Sequence, residues 1–307
     1  MKQLNFSIIT CFFGSIICIL ALATTSGNAQ SPSKPNIILI ITDDQGYGDF
    51  GFTGNPHVRT PHLDQLAGQS IRCESFFVSP VCAPTRSSLM TGRYSLRTGV
   101  HDTYNGGAIM ATEEITLAEL LKEGGYQTGI FGKWHLGDNY PSRPGDQGFD
   151  ESLIHLSGGM GQVGDVTTFF QGDSSYFDPV LWHNDEPRQY TGYCSDIFTT
   201  AAIEFIEEQR NQPFFCYLSF NAPHTPLQVP DQYLERYRDI DPSTGFEGNY
   251  PELEEMTERD KETARKVYAM VDNIDENLGR LLNRLDELGI ADQTWIVFLT
   301  DNGPQQV

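Results

Sequence analysis

The sequence predicts an α/β fold in which helices cover both faces of a mostly parallel sheet. Three short runs that are almost entirely apolar, at residues 36–42, 214–220 and 295–300, are typical of strands buried on both faces. Segments with helical spacing of apolar residues lie between these runs, and the longest extends from about residue 258 to residue 288. Strands that alternate with helices form a parallel sheet, because each connecting helix packs back onto it.

The first half of the chain carries four further predicted elements. The pair Thr60-Pro61 favours the start of a helix, since threonine caps helices and proline suits the first turn. Residues 75–78 predict a short strand. Residues 116–123 predict an amphipathic helix that ends at a glycine pair, and residues 126–131 predict the strand after it.

The middle of the chain, residues 137–192, shows little periodicity and is rich in glycine, aspartate, serine and tyrosine. This composition predicts long loops with one short hairpin around residues 180–182, and such loops commonly frame a substrate cleft. Regular structure returns with a predicted helix at residues 195–209. The regular elements therefore lie in two blocks on either side of a loop-rich centre.

The N-terminus predicts export from the cytoplasm. A lysine at position 2 precedes an apolar run at residues 8–22, and small residues follow at 27–29, which is the pattern of a secretory signal peptide over residues 1–29. A membrane anchor is the alternative, although the apolar run is short for a full span. The remainder of the chain is accordingly expected to be secreted or periplasmic.

The cysteine content excludes a disulfide scaffold. Two of the six cysteines lie in the predicted signal peptide, which leaves Cys73, Cys82, Cys194 and Cys216. If Cys82 is used for chemistry, three cysteines remain, and at most one pair can form in an oxidising compartment.

The formal net charge of −21 argues against nucleic acid and anionic membrane surfaces as partners, since no basic patch is available to release counterions. An anionic substrate must then be held by a local cluster of cations, because exposed charges elsewhere are screened beyond about 8 to 10 Å. A bound divalent metal ion would itself need some of the carboxylates.

The stretch from Pro80 to Tyr94 places a candidate nucleophile, Cys82, ahead of a predicted helix. Pro84 has a φ fixed near the helical value and lacks an N–H, so it suits the first position of a helix whose free N–H groups point back toward Cys82. Such a helix start binds anions, and the planar fork of Arg86 suits a tetrahedral oxyanion such as sulfate or phosphate. For this short pattern alone, a buried thiol beside a helix start is the alternative.

Acidic residues follow two of the apolar strands. Asp43 and Asp44 come after the first strand, and Asp301 and Asn302 come after the last. Ordinary strand exits use the same residue types, which is the alternative for either pair alone. Because ligands gather at the carboxyl ends of strands in such sheets, we expect these side chains to meet around a positive ion. Oxygen ligands without a histidine or cysteine nearby favour Ca²⁺ over Mg²⁺ and disfavour zinc.

Two further segments carry basic side chains at predicted strand ends. Lys133 and His135 follow the strand at 126–131, and His224 lies in a Pro-His-Thr-Pro turn after the strand at 214–220. Each of them alone is compatible with a solvated loop or a rigid turn. Because both segments leave the carboxyl ends of their strands, they are expected at the same edge of the sheet as the acidic residues.

Together these segments resemble the type I sulfatases, which belong to the alkaline phosphatase superfamily. Residues 80–86 and 89–93 match one signature of that family. Residues 125–133 resemble the second signature, with Phe131 bulkier than the residue usual in relatives. The resemblance covers most of the chain from residue 35 to residue 303.

The resemblance implies an alkaline-phosphatase-like sulfatase catalytic domain over residues 30–307 that binds one Ca²⁺. It further implies that a formylglycine-generating maturation enzyme oxidises Cys82 to formylglycine, whose hydrate is the nucleophile. The implied metal ligands are Asp43, Asp44, Cys82, Asp301 and Asn302. The implied catalytic residues are Cys82, Arg86, Lys133, His135 and His224.

The resulting hypothesis is hydrolysis of a sulfate monoester, either an aryl sulfate or a sulfated carbohydrate. Ca²⁺, Arg86 and Lys133 would neutralise the charge on the group under attack. His224 is the candidate acid that protonates the leaving alcohol, and His135 would take a proton from the second hydroxyl of the hydrate so that sulfate leaves. Ser157 is a further candidate for substrate contact.

Two alternatives stay open at this point. A phosphodiester or phosphonate monoester hydrolase of the same superfamily would share the nucleophile and the metal. The family also places a further lysine beyond the turn at 301–303 and continues with more strands and a small C-terminal domain, which this sequence lacks. The second alternative is therefore that the sequence is a fragment, or that the protein is inactive and only binds sulfated glycans. Residues 295–300 are then expected to form a strand at an exposed edge of the sheet.

Overall fold

The computed structural model describes residues 34–248 and 250–304, so the predicted signal peptide at 1–29 lies outside the described residues. Seven strands in the described residues form one sheet. They are β1 (Asn36–Thr42), β2 (Gln127–Lys133), β3 (Glu151–His155), β4 (Val180–His183), β5 (Glu186–Gln189), β6 (Phe214–Ser219) and β7 (Thr294–Thr300). The order across the sheet is β5-β4-β3-β2-β6-β1-β7, with β3, β2, β6, β1 and β7 parallel and the hairpin of β4 and β5 antiparallel.

Seven α-helices accompany the sheet in the same residues. They are α1 (Pro61–Gln69), α2 (Cys82–Thr91), α3 (Leu117–Glu123), α4 (Cys194–Gln209), α5 (Asp231–Leu234), α6 (Pro251–Glu254) and α7 (Glu258–Leu288). One hydrophobic cluster joins α1, α4 and α7 to one face of the sheet, and a second joins α2 and α3 to the other. The prediction of a mostly parallel sheet with helices on both faces is therefore confirmed.

The apolar runs reflect burial on both sides of the central strands. Alternate residues of β1 enter different clusters, since Ile38 and Ile40 pack on one face while Leu39 and Ile41 pack on the other. A strand in this position has no solvent-facing side, so its sequence shows no alternation of polar and apolar residues. The same holds for β6, in which every residue is buried.

The loop-rich centre contains one strand that the sequence analysis missed. The hairpin around residues 180–182 is present as β4 and β5, but β3 also forms there and pairs parallel to β2. Three of its five residues, Glu151, Ser152 and His155, are polar, so the run does not stand out as apolar. Pairing with β2 determines its structure, which local composition does not indicate.

Two local predictions around the Cys82 segment were wrong. Residues 75–78 form no strand, and the side chains of Phe76 and Phe77 are 59% and 91% exposed, because no neighbouring strand is available to pair with them. Helix α2 begins at Cys82 rather than at Pro84. Pro84 still lies in the first turn, where the missing N–H breaks no intrahelical hydrogen bond.

Helix α1 begins after Thr60 as predicted, but the threonine does not cap it. Its hydroxyl donates to a carboxylate oxygen of Asp64 at 2.8 Å and accepts from the backbone N–H of Gly51 at 2.8 Å. The free N–H groups of the helix are met instead by Asp275 of α7, which accepts from Leu63 N at 2.7 Å and from His62 N at 3.2 Å. A side chain more than two hundred positions away thus caps α1 and fixes it against α7.

Replacement of Asp275 by alanine is expected to lower the free energy of unfolding by about 1–3 kcal/mol, because it leaves one buried and one partly buried N–H group without an acceptor. Chemical denaturation followed by far-UV circular dichroism measures this change. The matched control is Asp286→Ala in the same helix, whose exposed side chain is expected to matter by no more than about 0.5 kcal/mol. Equal effects of the two substitutions would contradict the capping role.

Strand β7 lies at one edge of the sheet, as expected for residues 295–300. Trp295 and Val297 are 67% and 47% exposed on the face where α2 and α3 cover other strands. The four cysteines among the described residues are free thiols, with Cys73 exposed and the other three buried. No helix within the described ranges combines the length and the apolar character that crossing a bilayer requires.

Candidate active site

The acidic residues after β1 and β7 meet at the carboxyl edge of the sheet. Because Thr42 pairs with Thr300 in the parallel register, the residues that follow them leave the sheet side by side. The backbone N–H of Asp44 donates to Asp301 Oδ1 at 3.1 Å, and Asn302 Nδ2 donates to Asp44 Oδ1 at 2.7 Å. Two segments that are far apart in sequence therefore form one cluster.

Cys82 is the first residue of α2 and joins this cluster. Its sulfur and one carboxylate oxygen from each of Asp43 and Asp301 all lie within 4.8 Å of one another. The cysteine is 7% exposed, so the thiol lies beneath the surface rather than on it. The structure thus brings the predicted nucleophile and two of the predicted metal ligands together.

Two fully buried cations balance the carboxylates. Lys133 Nζ lies 2.6 Å from Asp43 Oδ2. Arg86 Nη2 lies 2.9 Å from Asp301 Oδ2 and 3.4 Å from Asp43 Oδ1. Arg86 Nη1 donates to Ser219 Oγ at 2.6 Å, so most of the guanidinium is already bound by the protein. Its Nε has no hydrogen-bond partner among the described residues.

The charges in this cluster shift one another's pKa values. Burial works to raise the pKa of Asp43, but Lys133, His224 and Arg86 hold it well below its usual value. Burial, followed by the negative charge of Asp43, raises the pKa of Asp301 to about 8. Burial works to lower the pKa of Lys133, but Asp43 outweighs it and the pKa is raised. The cations therefore stay charged, while the two carboxylates compete for a positive neighbour.

The hydrogen bonds of the two predicted histidines fix where their protons lie. His135 Nε2 is 2.8 Å from the carbonyl oxygen of Thr103, and His224 Nδ1 is 2.6 Å from that of Thr225. Since a carbonyl oxygen only accepts, these nitrogens donate, which leaves His135 Nδ1 and His224 Nε2 for other roles. His135 Nδ1 is buried without a partner among the described residues, and His224 Nε2 lies 3.6 Å from Asp44 Oδ2.

Burial, with a smaller effect of Lys133, lowers the pKa of His135 to about 3. The imidazole is therefore neutral near pH 7, and its unpartnered Nδ1 carries a lone pair. A neutral ring with a free nitrogen is the form of histidine that accepts a proton. Because protonation of the buried ring is disfavoured, His135 is poorly suited to hold and donate a proton near pH 7. The observation that favours a base role is the geometric one, the buried Nδ1 without a partner among the described residues.

The backbone at the site is held in unusual conformations. Asp44 and His135 have φ values of 61° and 58°, in the left-handed region that costs most side chains energy. Glycine is required beside them. A Cβ on Gly132 would lie 1.8 Å from the carbonyl oxygen of Ser219, and one on Gly158 would lie 2.8 Å from the ring of His135. Close packing therefore determines where Lys133 and His135 point.

The residues of the cluster fit a divalent cation. Asp43 Oδ1 and Asn302 Oδ1 are buried and have no hydrogen-bond partner among the described residues, although polar atoms in such positions are almost always satisfied. Both are oxygen atoms. All the other candidate ligand atoms are also oxygens, except the sulfur of Cys82. Oxygen-rich sets of this kind hold Ca²⁺ or Mg²⁺. Asp43, Asp44, Asp301, Asn302 and position 82 are thus a suitable ligand set.

Two polar residues at the cluster, Ser219 and His155, were not predicted from the sequence. Ser219 is the last residue of the apolar strand β6. A polar residue at the end of an apolar strand is also the signal that indicated Asp43, so Ser219 could have been predicted in the same way. His155, the last residue of β3, is fully buried, and neither ring nitrogen has a partner among the described residues. The predicted contact residue Ser157 uses its hydroxyl to bind the carbonyl oxygen of Gly159 at 3.1 Å.

Comparison with known proteins places the chain among the sulfatases. A family model described as Sulfatase matches residues 35–306. The arylsulfatase of Klebsiella aerogenes is 31% identical over 323 residues, which cover 90% of this chain and 68% of that enzyme. The N-acetylgalactosamine-6-sulfatase of Mus musculus is 32% identical over 294 residues, which cover 90% of this chain and 51% of that enzyme. The crystal structure of Ps i-CgsB matches with a TM-score of 0.72 and 31% identity, over 89% of this chain and 59% of that one.

The fold and the cluster at its carboxyl edge define the class of alkaline-phosphatase-like proteins. Within that class the chain belongs to the sulfatase family, because the family model covers nearly all of the described residues. The chain spans between 51% and 68% of the length of these two curated relatives.

Proposed function

We propose that this protein is a secreted or periplasmic, calcium-dependent sulfuric ester hydrolase that acts from position 82. The observation that carries the proposal is the buried cluster of Cys82 with the carboxylates of Asp43 and Asp301. Membership of the sulfatase family supports the class of reaction. Residues 1–29 would serve as the signal peptide, and residues 30–307 would belong to the catalytic domain.

The environment of Cys82 supports its conversion to formylglycine. Burial raises the pKa of the thiol, and Asp43 adds to this effect while Lys133 opposes it. The thiol is therefore protonated near pH 7 and is a weak nucleophile as it stands. A hydrated aldehyde at the same position supplies a hydroxyl that can attack and a second hydroxyl that can lose a proton. We infer that a formylglycine-generating enzyme is a partner during maturation.

The cations of the cluster would bind the sulfate group. Lys133 and Arg86 are fixed by Asp43 and Asp301, so they hold their positive charge in place without reorganisation during the reaction. A bound Ca²⁺, held by the ligand set described above, would supply further positive charge close to the sulfate oxygens. This arrangement would neutralise the negative charge that the sulfate group already carries when the nucleophile approaches it.

The two histidines would divide the proton transfers. His135 is neutral and has a free Nδ1, so it would accept the proton from the second hydroxyl at position 82. His224 Nε2 lies 3.6 Å from Asp44 Oδ2 at the edge of the cluster, and it would pass a proton to the leaving alcohol. The hydrogen bonds that both rings make to carbonyl oxygens keep the reactive nitrogens oriented.

The substrate is proposed to be a sulfate ester of an aryl alcohol or of a carbohydrate. The two curated relatives support both classes, since one is named as an arylsulfatase and the other as an N-acetylgalactosamine-6-sulfatase. The net charge of −21 is compatible with an anionic substrate because two buried cations, Arg86 and Lys133, lie at the cluster.

Protein produced together with a formylglycine-generating enzyme is expected to release inorganic sulfate from para-nitrophenyl sulfate with a higher kcat/KM than it shows for phenyl phosphonate. Mass spectrometry of the peptide that contains residue 82 is expected to find an aldehyde in place of the thiol. Preference for the phosphonate would assign the protein to the phosphonate monoester hydrolases instead. Full activity with an unmodified thiol would contradict the proposed nucleophile.

A further inference from the structure

A cleft of about 890 Å³ opens beside the loop that follows β1. One wall is formed by residues from the segment 47–56, and the other is formed by residues from the segments 245–247 and 250–253. We name it the Tyr47–Tyr250 cleft after the two exposed tyrosines in its lining. None of the residues assigned above to the metal or to catalysis lines it, so it is separate from the cluster around Cys82.

The cleft and the cluster share one loop. Tyr47 is three residues after Asp44, so their Cα atoms are at most about 11 Å apart, given the reach of an extended chain. The same loop lies close to the segment that follows β7, because a Cβ on Gly46 would lie 3.3 Å from the ring of Pro304, two residues beyond Asn302. The cluster and the cleft are therefore neighbouring sites that share one loop.

The walls of the cleft are held in place by hydrogen bonds. Asn55 Nδ2 donates to the carbonyl oxygen of Gly48 at 2.8 Å, which closes the loop of the first wall. His57 Nε2 lies 2.6 Å from the carbonyl oxygen of Thr244, which joins the first wall to the second. These contacts connect the two walls of the cleft, and a largely preformed shape is usual for small-molecule sites.

The lining combines aromatic rings with unpaired carboxylates. Tyr47 and Tyr250 are 78% and 50% exposed, and Phe246 lines the cleft between them. Exposed rings grouped in a concave surface mark a place where a ligand with apolar faces packs. Glu247 and Glu252 also line it, and neither forms an ion pair among the described residues. Their oxygens can accept hydrogen bonds from hydroxyl groups and would repel a second sulfate.

A sugar ring fits these features, because it has flat C–H faces for the aromatic rings and hydroxyl groups at its edge for the carboxylates. We propose that the Tyr47–Tyr250 cleft binds an uncharged sugar unit adjacent to the sulfated one. The substrate is then an oligosaccharide in which a sulfated unit is joined to a neutral neighbour. This inference rests on the proposed sulfatase function, and it narrows the substrate class.

Two substitutions alter the cleft in opposite ways. Tyr250→Ala removes one aromatic wall, while Gly48→Phe fills the space, since a Cβ on Gly48 would meet nothing within 4 Å and its φ lies outside the left-handed region. Gly68→Phe is the matched control, because Gly68 is also exposed with open space at its Cβ. Tyr94→Ala is the second control, since Tyr94 is 84% exposed beyond the far end of α2.

The substrates are para-nitrophenyl sulfate and two sets of sulfated oligosaccharides. In the first set, κ-neocarratetraose and a keratan sulfate disaccharide, the sulfated unit has a neutral neighbour. In the second set, chondroitin sulfate and heparan sulfate tetrasaccharides, the neighbour is a uronate. The best oligosaccharide is expected to come from the first set. Tyr250→Ala and Gly48→Phe are each expected to lower kcat/KM for this oligosaccharide at least tenfold more than they lower kcat/KM for para-nitrophenyl sulfate. Gly68→Phe and Tyr94→Ala are expected to leave the ratio of the two kcat/KM values unchanged.

The outcomes separate this inference from the proposed function. Sulfate release from the aryl sulfate but from no oligosaccharide, or a preference for uronate neighbours, would overturn the cleft assignment and leave the sulfatase function standing. Absence of sulfate release from every substrate would overturn the proposed function. In that case calorimetric titration with κ-neocarratetraose tests the cleft directly. Binding by the wild-type protein that is abolished in Gly48→Phe would support the cleft assignment. Absence of binding by the wild type, or equal binding by Gly48→Phe, would overturn it.

Discussion

Replacing Cys82 with alanine is expected to lower sulfate release by on the order of 10⁴- to 10⁶-fold, as the loss of a nucleophile does in other hydrolases. The fold is expected to persist, because the substitution removes one sulfur from the first turn of α2 and leaves the ion pairs of Arg86 and Lys133 in place. Initial rates with para-nitrophenyl sulfate and the melting temperature of each protein measure the two effects.

The matched control is Cys216→Ala. Cys216 is also a buried cysteine, but it lies in the middle of β6, where it pairs with Ile38 and packs in the hydrophobic cluster that contains α1, α4 and α7. Its replacement is expected to reduce stability by about 1 kcal/mol through lost packing and to leave the rate unchanged. Turnover near the wild-type level in the Cys82 variant would exclude the proposed nucleophile. An equal loss in both variants would indicate a general effect on folding.

Removal of the divalent ion is expected to have the second largest effect. Chelation with EGTA is expected to lower kcat/KM by about 10²- to 10⁴-fold, since a metal ion contributes several kcal/mol of charge stabilisation. The melting temperature is expected to fall by about 5–10 °C, as for loss of a ligand present at about a hundred times its Kd. Added Ca²⁺ is expected to restore both quantities. Insensitivity of both to the chelator would contradict the metal site.

The effect of the chelator on stability is expected to depend on pH. Without the ion, burial and the charge of Asp43 raise the pKa of Asp301 from 3.8 to about 8. The contribution of this carboxyl group to the free energy of unfolding is then fully present below about pH 4, and it is lost as the pH rises through about 8. The fall in melting temperature on chelation is therefore expected to be larger at pH 8.5 than at pH 5. In Asp301→Asn the chelator is expected to have little effect at either pH, whereas Asp275→Asn is expected to respond like the wild type.

Much of the candidate site was predictable because strand ends in a parallel sheet share one edge. The apolar runs before Asp43 and Asp301 identify β1 and β7 without ambiguity, and their pairing alone brings the two acidic groups together. The partner of Arg86 was not predictable in this way. Its sequence context indicates an oxyanion, but in the fold its fork binds Asp301 and Ser219, because burial leaves a guanidinium no alternative to nearby acceptors.

Other features depend on contacts that composition does not encode. Lys133 belongs to β2 rather than to the loop after it, since Gly132 lets the strand pass close to Ser219. Residues 75–78 have strand-like composition but lie where no partner strand is available. The capping of α1 by Asp275 likewise arises from packing of α7, whose sequence shows only that it is a helix.

The burial of Cys82 has a consequence for the order of events during biosynthesis. Arg86, in the first turns of α2, binds Asp301, which is 215 positions later in the chain. At about 5–20 residues per second, a ribosome needs roughly 10 to 45 s to synthesise the intervening segment. The proposed modifying enzyme would have its best access to the thiol during that interval, before β7 joins the sheet. The speed of translation and the supply of the modifying enzyme would then determine what fraction of the newly made molecules matures.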